Sequence, residues 1–300
     1  MRASVIIPVY KSHTTIQRCI AGLQCLEHES FEVIFVDSSP DDRSSEIIRR
    51  FPQFRLIRPK ERMLMHAARN AGIQAARGDV IVFTDPDCVV APDWLSELDK
   101  SLKSGHSVVG GGIALYPGGV IDQAAHIVKF WRWFPGGEDR YAEDLATANF
   151  AVNRDALLSV GLFRPDLVSG DTELSHRLRR GGYGLYFNSR AVVQHIHEVT
   201  FKALVKERFI RGKDFGRMRS TLPEWSAWKS LAGVFAAPLL ALRQVHWKFL
   251  ACKKHQYLRG FLRTQHIILC CDLAWTVGAA LGYITTLHQN VQRRGSQVPG

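Results

Sequence analysis

Two carboxylates one residue apart, Asp85 and Asp87 with Pro86 between them, close an apolar stretch reading Val80-Ile81-Val82-Phe83-Thr84. Paired hard oxygen ligands of this kind, completed by phosphate oxygens, are how proteins usually hold Mg²⁺ or Mn²⁺. The competing reading is a plain strand-to-turn exit, for which Asp and Pro are common residues. Tyr10 follows the apolar run Val5–Val9, and Asp37 follows Val33–Val36. Asp171 stands near the start of a helical segment that puts Leu174 and Leu178 on one face. A carboxylate there is stabilised by free N–H groups and the helix dipole, so taken alone Asp171 reads as a cap. His195 and His197 alternate along an extended segment and so face the same way.

The elements that must position these residues follow a clear rhythm over residues 1–90. Val5–Val9 precedes a helical pattern through Ile16, Ile20 and Leu23, and Val33–Val36 precedes one through Ile47 and Ile48. Phe54–Ile57, a helix over about Leu64 to Ala76 and the strand Val80–Phe83 complete the series. Uniformly apolar strands separated by helices predict a parallel sheet buried on both faces. Right-handed crossovers then open every strand's carboxyl end on one side, where open α/β sheets bind ligands. Tyr10, Asp37, Asp85 and Asp87 all fall on that rim. Residues 91–200 are less regular: Gly110-Gly111-Gly112 and Pro117-Gly118-Gly119 interrupt the pattern, aromatics gather at Trp131, Trp133 and Phe134, and Ala148–Val152 reads as a strand before a helix near Asp155–Val160.

At 46% hydrophobic and 22% charged over 300 residues, the composition is globular and excludes a disordered chain. The net charge of +11 is uneven. Residues 201–300 carry 16 Lys/Arg against 4 Asp/Glu, so the first 200 are close to neutral. A basic tail on a neutral body is expected to meet something anionic. None of the six cysteines forms a C-x-x-C pair, which argues against a structural zinc site or a disulfide framework. The first apolar run is too short for a signal peptide, and a reducing cytosolic setting is expected.

In register along the chain, Val5-Ile6-Ile7-Pro8-Val9-Tyr10, Glu32-Val33-Ile34-Phe35-Val36-Asp37-Ser38-Ser39, Ala68-Arg69-Asn70-Ala71-Gly72, Asp85-Pro86-Asp87 and Asp171-Thr172-Glu173-Leu174 resemble the motifs of family 2 glycosyltransferases. The resemblance covers roughly residues 1–220. It implies an α/β chain of the GT-A type, with a Rossmann-like, mostly parallel central sheet flanked by helices, and an inverting enzyme that uses a nucleotide-diphosphate sugar. Residues 1–100 would form the nucleotide-sugar half and 101–220 the acceptor-binding and catalytic half. Carried over by position, Pro8, Tyr10 and Arg69 belong to the nucleotide pocket, and Asp37 reads the base edge through its carboxylate. Asp85 contacts the ribose and metal side, and Asp87 ligates a Mg²⁺ or Mn²⁺ that bridges the diphosphate. Such an ion stabilises charge developing on the leaving group. Asp171 resembles the general base of a single inverting displacement. The resemblance also makes His195, and less directly His197, a metal or diphosphate contact. It places Arg208 and Arg211 in a segment that closes over the donor, and Asn149, Trp131 and Trp133 where acceptors bind. Two departures stand out: Gly170 replaces one of the two acidic residues usual at the base, and Met65-His66 stands where a Gly-rich approach is frequent. The donor's base is left open among UDP-, GDP- and dTDP-sugars.

Residues 221–300 read as a basic, apolar, helical tail. Ser230–Leu242 is uncharged, contains Pro238 and is too short to span, which fits an interfacial segment. Ile267–Leu287 is long enough to cross but contains Asp272, at a cost of about 3 kcal/mol if fully inserted. Trp225, Trp228, Trp247 and Trp275 are spaced like interfacial anchors, and Gly278 and Gly282 give the small-xxx-small spacing of a packing or oligomer face. Association with an anionic membrane surface on the cytoplasmic face, peripheral, monotopic or single-span, is expected, with a glycan or lipid-linked acceptor and no nucleic acid. A soluble helical hairpin is the plainer reading of the tail. Two rival functions carry different signatures. A sugar nucleotidyltransferase would need a Gly-rich loop where Tyr10-Lys11-Ser12-His13-Thr14-Thr15 stands, and a catalytically inactive nucleotide-binding partner is compatible with the single carboxylate at Gly170-Asp171.

Overall fold

The computed structural model describes residues 2–220 and 226–295. Along the chain, β1 (Ala3–Val9), α1 (Ile16–Gln24), β2 (Phe31–Asp37), α2 (Arg43–Arg49), β3 (Arg55–Ile57), α3 (Met65–Ala75) and β4 (Val80–Thr84) follow the alternation expected from sequence. They are succeeded by β5 (Cys88–Val90), α4 (Trp94–Lys103), β6 (Val108–Leu115), α5 (Val120–Phe130), β7 (Arg140–Tyr141), β8 (Asn149–Asn153), α6 (Arg154–Val160), α7 (Gly170–Arg180) and β9 (Leu185–His195). Four helices close the described chain: α8 (Phe201–Ser220), α9 (Ala227–Phe235), α10 (Ala237–Lys254) and α11 (Leu258–Gly295). Trp225, one of the four tryptophans read as anchors, lies outside the described residues.

The chain forms two compact units. One comprises Met1–Pro117, Arg132–Asp166 and Gly170–His197, and the other Gly118–Trp131, Leu167–Ser169 and Glu198–Gly300. The boundary expected near residue 220 therefore moves: α8 groups with the tail, and so does α5. The reason is that α8 packs along α11.

All strands lie in the first unit, in the order β3-β2-β1-β4-β8-β6-β9-β5, with β7 on β9. β1 pairs in parallel with both β2 and β4, and β2 with β3, as the apolar runs require. Every residue of β1 and of β4 is buried, the signature of strands covered on both faces. Beyond β4 the sheet is mixed. β8 runs antiparallel to both β4 and β6, β6 and β9 are parallel, and β5 and β7 pair antiparallel with β9. The long strand β9 thus brings His195 beside Cys88 on β5, a pairing that alternation in residues 1–90 does not predict.

In the helical unit, α8 and α11 meet through glycines on both helices. An added Cβ at Gly212 would lie 2.0 Å from the Trp275 carbonyl oxygen, and one at Gly278 would lie 2.2 Å from that of Phe209. Gly216 and Gly282 are equally closed, against Ala279 and Lys213. The small-residue face of Gly278 and Gly282 is therefore occupied within the chain, which corrects its assignment as an oligomer face: α8 supplies the partner that a second copy would have supplied. Ser230–Leu242, expected as an interfacial run, divides into the end of α9 and the start of α10, with Pro238 in the first turn of α10 where a missing N–H costs nothing.

Candidate functional site

The carboxyl ends of β1, β2 and β4 form one rim. Tyr10, 39% exposed, leaves β1 there with the Arg62 guanidinium 4.6 Å from its ring centroid. Pro8 lies inside β1 and is buried. Lys11 takes a left-handed φ of 54°, uncommon for a side chain of its size, and its N–H donates to the Ser39 hydroxyl at 2.7 Å. Asp37 differs from expectation. Its carboxylate is wholly buried: one oxygen accepts from the Ser39 N–H at 2.9 Å, the other from the Ser45 hydroxyl and from Arg58 at 3.1 Å. With both oxygens engaged, Asp37 holds the loop and Arg58 in place and presents no free edge to a base.

Asp85 is also engaged. Its Oδ1 pairs with Nη2 of the fully buried Arg69 at 2.6 Å, which gives this carboxylate a cation of the protein's own. Arg69 donates on its other arm to Nδ1 of His66 at 3.2 Å. Because guanidinium can only donate, Nδ1 is the acceptor and Nε2 carries the ring proton. The His66 ring is buried and stacks on Phe163 at 5.0 Å. On its far edge stands Gly170: an added Cβ there would lie 2.6 Å from Nε2. The two departures noted in the sequence are therefore one arrangement, in which His66 fills the space a side chain at position 170 would need. A contiguous line, Asp85–Arg69–His66–Gly170, ties the rim to the N-terminus of α7, which carries Asp171.

Asp87 meets β9. Its Oδ1 lies 3.6 Å from His195 Nε2, and the potential ligand atoms of Asp87, Cys88 and His195 all fall within 4.8 Å of one another. The Ile196 carbonyl lies 2.9 Å from His195 Nδ1 and can only accept, so Nδ1 carries a proton and Nε2 is the nitrogen that faces Asp87. A carboxylate oxygen and an imidazole nitrogen are both atoms that can ligate a divalent cation. Burial, reinforced by Asp87 and Asp85, pushes the Cys88 thiol well up, which keeps it protonated and leaves the oxygen and imidazole donors that suit a hard divalent ion. Cys19, whose thiol is raised for the same reasons, donates to the Asp85 carbonyl at 3.7 Å. His197 is buried and stacks on His195 with centroids 4.4 Å apart. Cys88 escaped the sequence reading because only paired cysteines were taken as ligands; its adjacency to Asp87 was the available signal.

Asp171 lies half-buried in the first turn of α7 and accepts from the Thr172 N–H at 2.9 Å. A second carboxylate stands near it. Burial raises the Asp144 carboxyl, the paired Arg132 at 2.7 Å opposes this, and the Asp171 charge adds to the rise. A carboxylate from a distant loop therefore stands within electrostatic reach of Asp171.

Three expected acceptor contacts are placed otherwise. Asn149 is buried with its amide spent: Oδ1 accepts from Trp94 Nε1 at 2.8 Å, and Nδ2 donates to Gly112 and Ala191 carbonyls at 2.9 and 2.8 Å. It clamps β8 to β6 and to the middle of β9. Trp133 is buried and donates to the Asp144 carbonyl at 3.1 Å, and Trp131, in the helical unit, lies beneath the Lys248 ammonium at 5.7 Å. Arg208 and Arg211 belong to the helical unit, on α8, where Arg211 pairs with Glu207 at 2.9 Å.

The model of the glycosyl transferase family 2 domain matches residues 4–164. A glycosyltransferase of Haloferax volcanii, AglE, is 31% identical over 94% of this chain and 95% of its own length. The undecaprenyl-phosphate 4-deoxy-4-formamido-L-arabinose transferase of Pseudomonas syringae is 30% identical over 36% of this chain and 34% of its own. In three dimensions the chain resembles a mannosyltransferase of Pyrobaculum calidifontis solved with GDP-Man and Mn²⁺, with a TM-score of 0.66 over 94% of this chain and 87% of the other. At 17% identity that likeness speaks for the fold alone.

Proposed function

The chain belongs to glycosyl transferase family 2 and is a glycosyltransferase of GT-A fold; from that premise we propose that it inverts the anomeric carbon of a sugar as it passes from a nucleoside diphosphate to a hydroxyl of a lipid-linked or growing glycan acceptor. The observation that carries the reading is the convergence of Asp87 and His195 Nε2 to 3.6 Å. Asp87 and His195 would hold Mg²⁺ or Mn²⁺, which supplies electrostatic stabilisation for charge on the departing diphosphate. The likeness to a protein solved with GDP-Man and Mn²⁺ supports a nucleotide sugar and a metal as a class.

The chain's own residues divide the remaining work. Tyr10, flanked by Arg62 and Lys11, offers a face and two cations to the nucleotide. Arg69 orients Asp85, and Asp85 positions the ribose side of the donor. Asp171 takes the proton from the acceptor hydroxyl as its oxygen attacks, and one such base suffices for a single inverting displacement. The tail supports membrane association: Trp228, Phe235, Leu239, Leu242 and Trp247 are all more than half exposed, on helices rich in Lys and Arg. The helix over Leu258–Thr286 is long and apolar enough to cross a membrane, although half of that segment is buried within the protein.

Titration of nucleoside diphosphates with and without Mn²⁺ tests the assignment. Asp87→Ala and His195→Ala should each remove the metal-dependent part of binding. Asp171→Asn should bind as the parent and lose turnover by about 10²–10⁴-fold, the usual contribution of a general base. Normal turnover of Asp171→Asn would place the base elsewhere, and a parent that binds nucleotide without any turnover would favour the inactive-partner reading.

A further inference from the structure

Length and apolarity would let α11 cross a bilayer over Leu258–Thr286, and its neighbour α8 decides against that. The two helices run parallel. Gly212 faces the Trp275 carbonyl and Gly216 the Ala279 carbonyl, so one register holds over a full helical turn. In that register Lys206 stands level with Leu269 and Lys213 with Thr276, on either side of Asp272 in the middle of the apolar segment. Lys202, Lys206, Lys213 and Arg217 are all exposed and share one face of α8, about 22 Å long. The hydrocarbon core of a bilayer is about 30 Å thick. Upright in a bilayer, α11 would carry exposed ammonium groups of its partner deep into hydrocarbon, where each is heavily penalised.

The other side of α11 is apolar and open. Leu262, Leu269, Leu273, Val277, Leu281 and Ile284 are exposed and recur at helical spacing, one stripe along the helix. At 3.6 residues per turn the stripe lies about half a turn away from the glycines that meet α8. Asp272 does not interrupt it, because its buried carboxylate takes the buried Lys248 ammonium on both oxygens, at 2.9 and 3.0 Å. A second apolar face runs from α9 into α10. There Trp228, Leu231, Phe235, Leu239 and Leu242 are exposed at three- and four-residue intervals, with exposed Arg243, Lys253 and Lys254 beyond them. Apolar stripes bordered by cations belong to helices that lie in the plane of a membrane surface. Residues 201–300 carry 16 Lys/Arg against 4 Asp/Glu, so a second copy meeting these faces would bring like charge to like charge, whereas anionic headgroups supply the counter-charge.

We propose that the helical unit docks on one leaflet of an anionic bilayer without crossing it: α11 lies along the surface with its Leu262-to-Ile284 stripe in the outer hydrocarbon, the α9–α10 face enters beside it, and α8 stays on the aqueous side. This rests on the membrane association proposed above and assigns it a mode and a face.

The test uses the full chain on vesicles of phosphatidylcholine, with and without phosphatidylglycerol. Spin labels are placed one at a time on the stripe, at the exposed native Cys270 and at Leu262→Cys, Val277→Cys and Ile284→Cys, with the exposed Cys25 replaced by serine throughout and Cys270 likewise in the last three. Depth is read from collisions with oxygen against a water-soluble nickel chelate, and nucleotide binding checks that each labelled protein is folded. A docked helix puts all four labels at one shallow depth, about 5–10 Å into the membrane. A span instead makes Cys270 deepest, about 12 Å along the axis from position 262 and about 21 Å from 284, with those two toward opposite surfaces. Phosphatidylglycerol should tighten vesicle binding by about tenfold or more. Phe235→Gln combined with Leu239→Gln should weaken it by about tenfold or more and leave nucleotide binding unchanged. Unchanged vesicle binding by that double variant overturns the docking face. Labels shielded from both collision reagents in a protein that dimerises give the stripe to a second copy and overturn the dock. A parent that binds no vesicle brings down the membrane reading and the dock together, whereas binding with a span's depth profile keeps that reading and overturns only the dock.

Discussion

Replacing Gly170 by alanine adds one methyl group at the point where α7 meets His66, and its effect can be worked out from the contacts. The new Cβ would lie 2.6, 2.7 and 3.0 Å from Nε2, Cδ2 and Cε1 of the ring. Ordinary contact needs several tenths of an ångström more at every one of the three. The ring cannot yield sideways, because Phe163 stacks on it at 5.0 Å and Arg69 holds Nδ1 at 3.2 Å. Overpacking of a closed site costs about 1–3 kcal/mol, offset by at most about 1 kcal/mol from exchanging glycine for alanine in a helix. A net loss of about 1–2 kcal/mol should lower the melting temperature by about 2–8 °C for a unit of this size. The strain also reaches the rim, since a displaced His66 loosens Arg69 and with it Asp85. Nucleotide affinity should therefore fall in Gly170→Ala without any change at a residue that touches nucleotide. The decisive assay is a double-mutant cycle with His66→Ala, read by thermal melting and nucleotide titration. His66→Ala is itself destabilising because it opens a cavity and removes the Arg69 acceptor, yet in that background the added methyl should be tolerated. The coupling should favour the double variant by about 1–2 kcal/mol, within the range for residues in contact. Additive losses, or a Gly170→Ala protein that melts with the parent, would refute the idea that these two positions share one volume.

Further expectations follow from the same kind of reading. Glu207 is depressed from 4.5 to about 2, so its stabilising contribution is complete above 4.5 and is lost as pH falls toward 2. Denaturation as a function of pH should show Glu207→Gln less stable than the parent by on the order of 2 kcal/mol at pH 7, after discounting for partial exposure, with the gap closing between pH 4.5 and 2. Asn149→Leu should cost about 3 kcal/mol or more, because Trp94 Nε1 and two carbonyls lose their partner inside the sheet; a variant of parental stability would show that the amide is dispensable there. Gly212→Leu should destabilise the helical unit, seen as earlier melting of its helical signal in detergent, because the Trp275 carbonyl stands 2.0 Å from the first added atom.

Much of the first unit was legible because its signals are local. Val5–Val9, Val33–Val36 and Val80–Phe83 are uniformly apolar for the reason that parallel strands are covered on both faces, and the rim residues follow at once from strand direction. Asp87 and His195 were joined through the family resemblance and not through periodicity, because the antiparallel pairing of β5 with β9 is a long-range fact with no local mark. The protein partners of Asp37 and Asp85 were hidden for a related reason. A carboxylate at a strand end looks available in sequence, and only the positions of Arg58 and Arg69 reveal that each already has a protein cation.

The tail shows the same limit from the other side. Gly278 and Gly282 announced a close helix contact correctly, since only a residue without Cβ lets a backbone carbonyl approach to van der Waals range. What spacing cannot say is whose backbone approaches. The answer lay in Gly212 and Gly216, which repeat the same interval on α8 amid Arg208, Arg211 and Lys213. Once α8 is recognised as the partner of α11, its arginines change meaning. Arg211 pairs with Glu207 on its own helix, and Glu207 in turn takes Lys129 of α5, so the charges of α8 tie helices of this unit together. The small residues bring two backbones to contact distance, and only then do charged side chains one turn away on α8 find partners within the same unit.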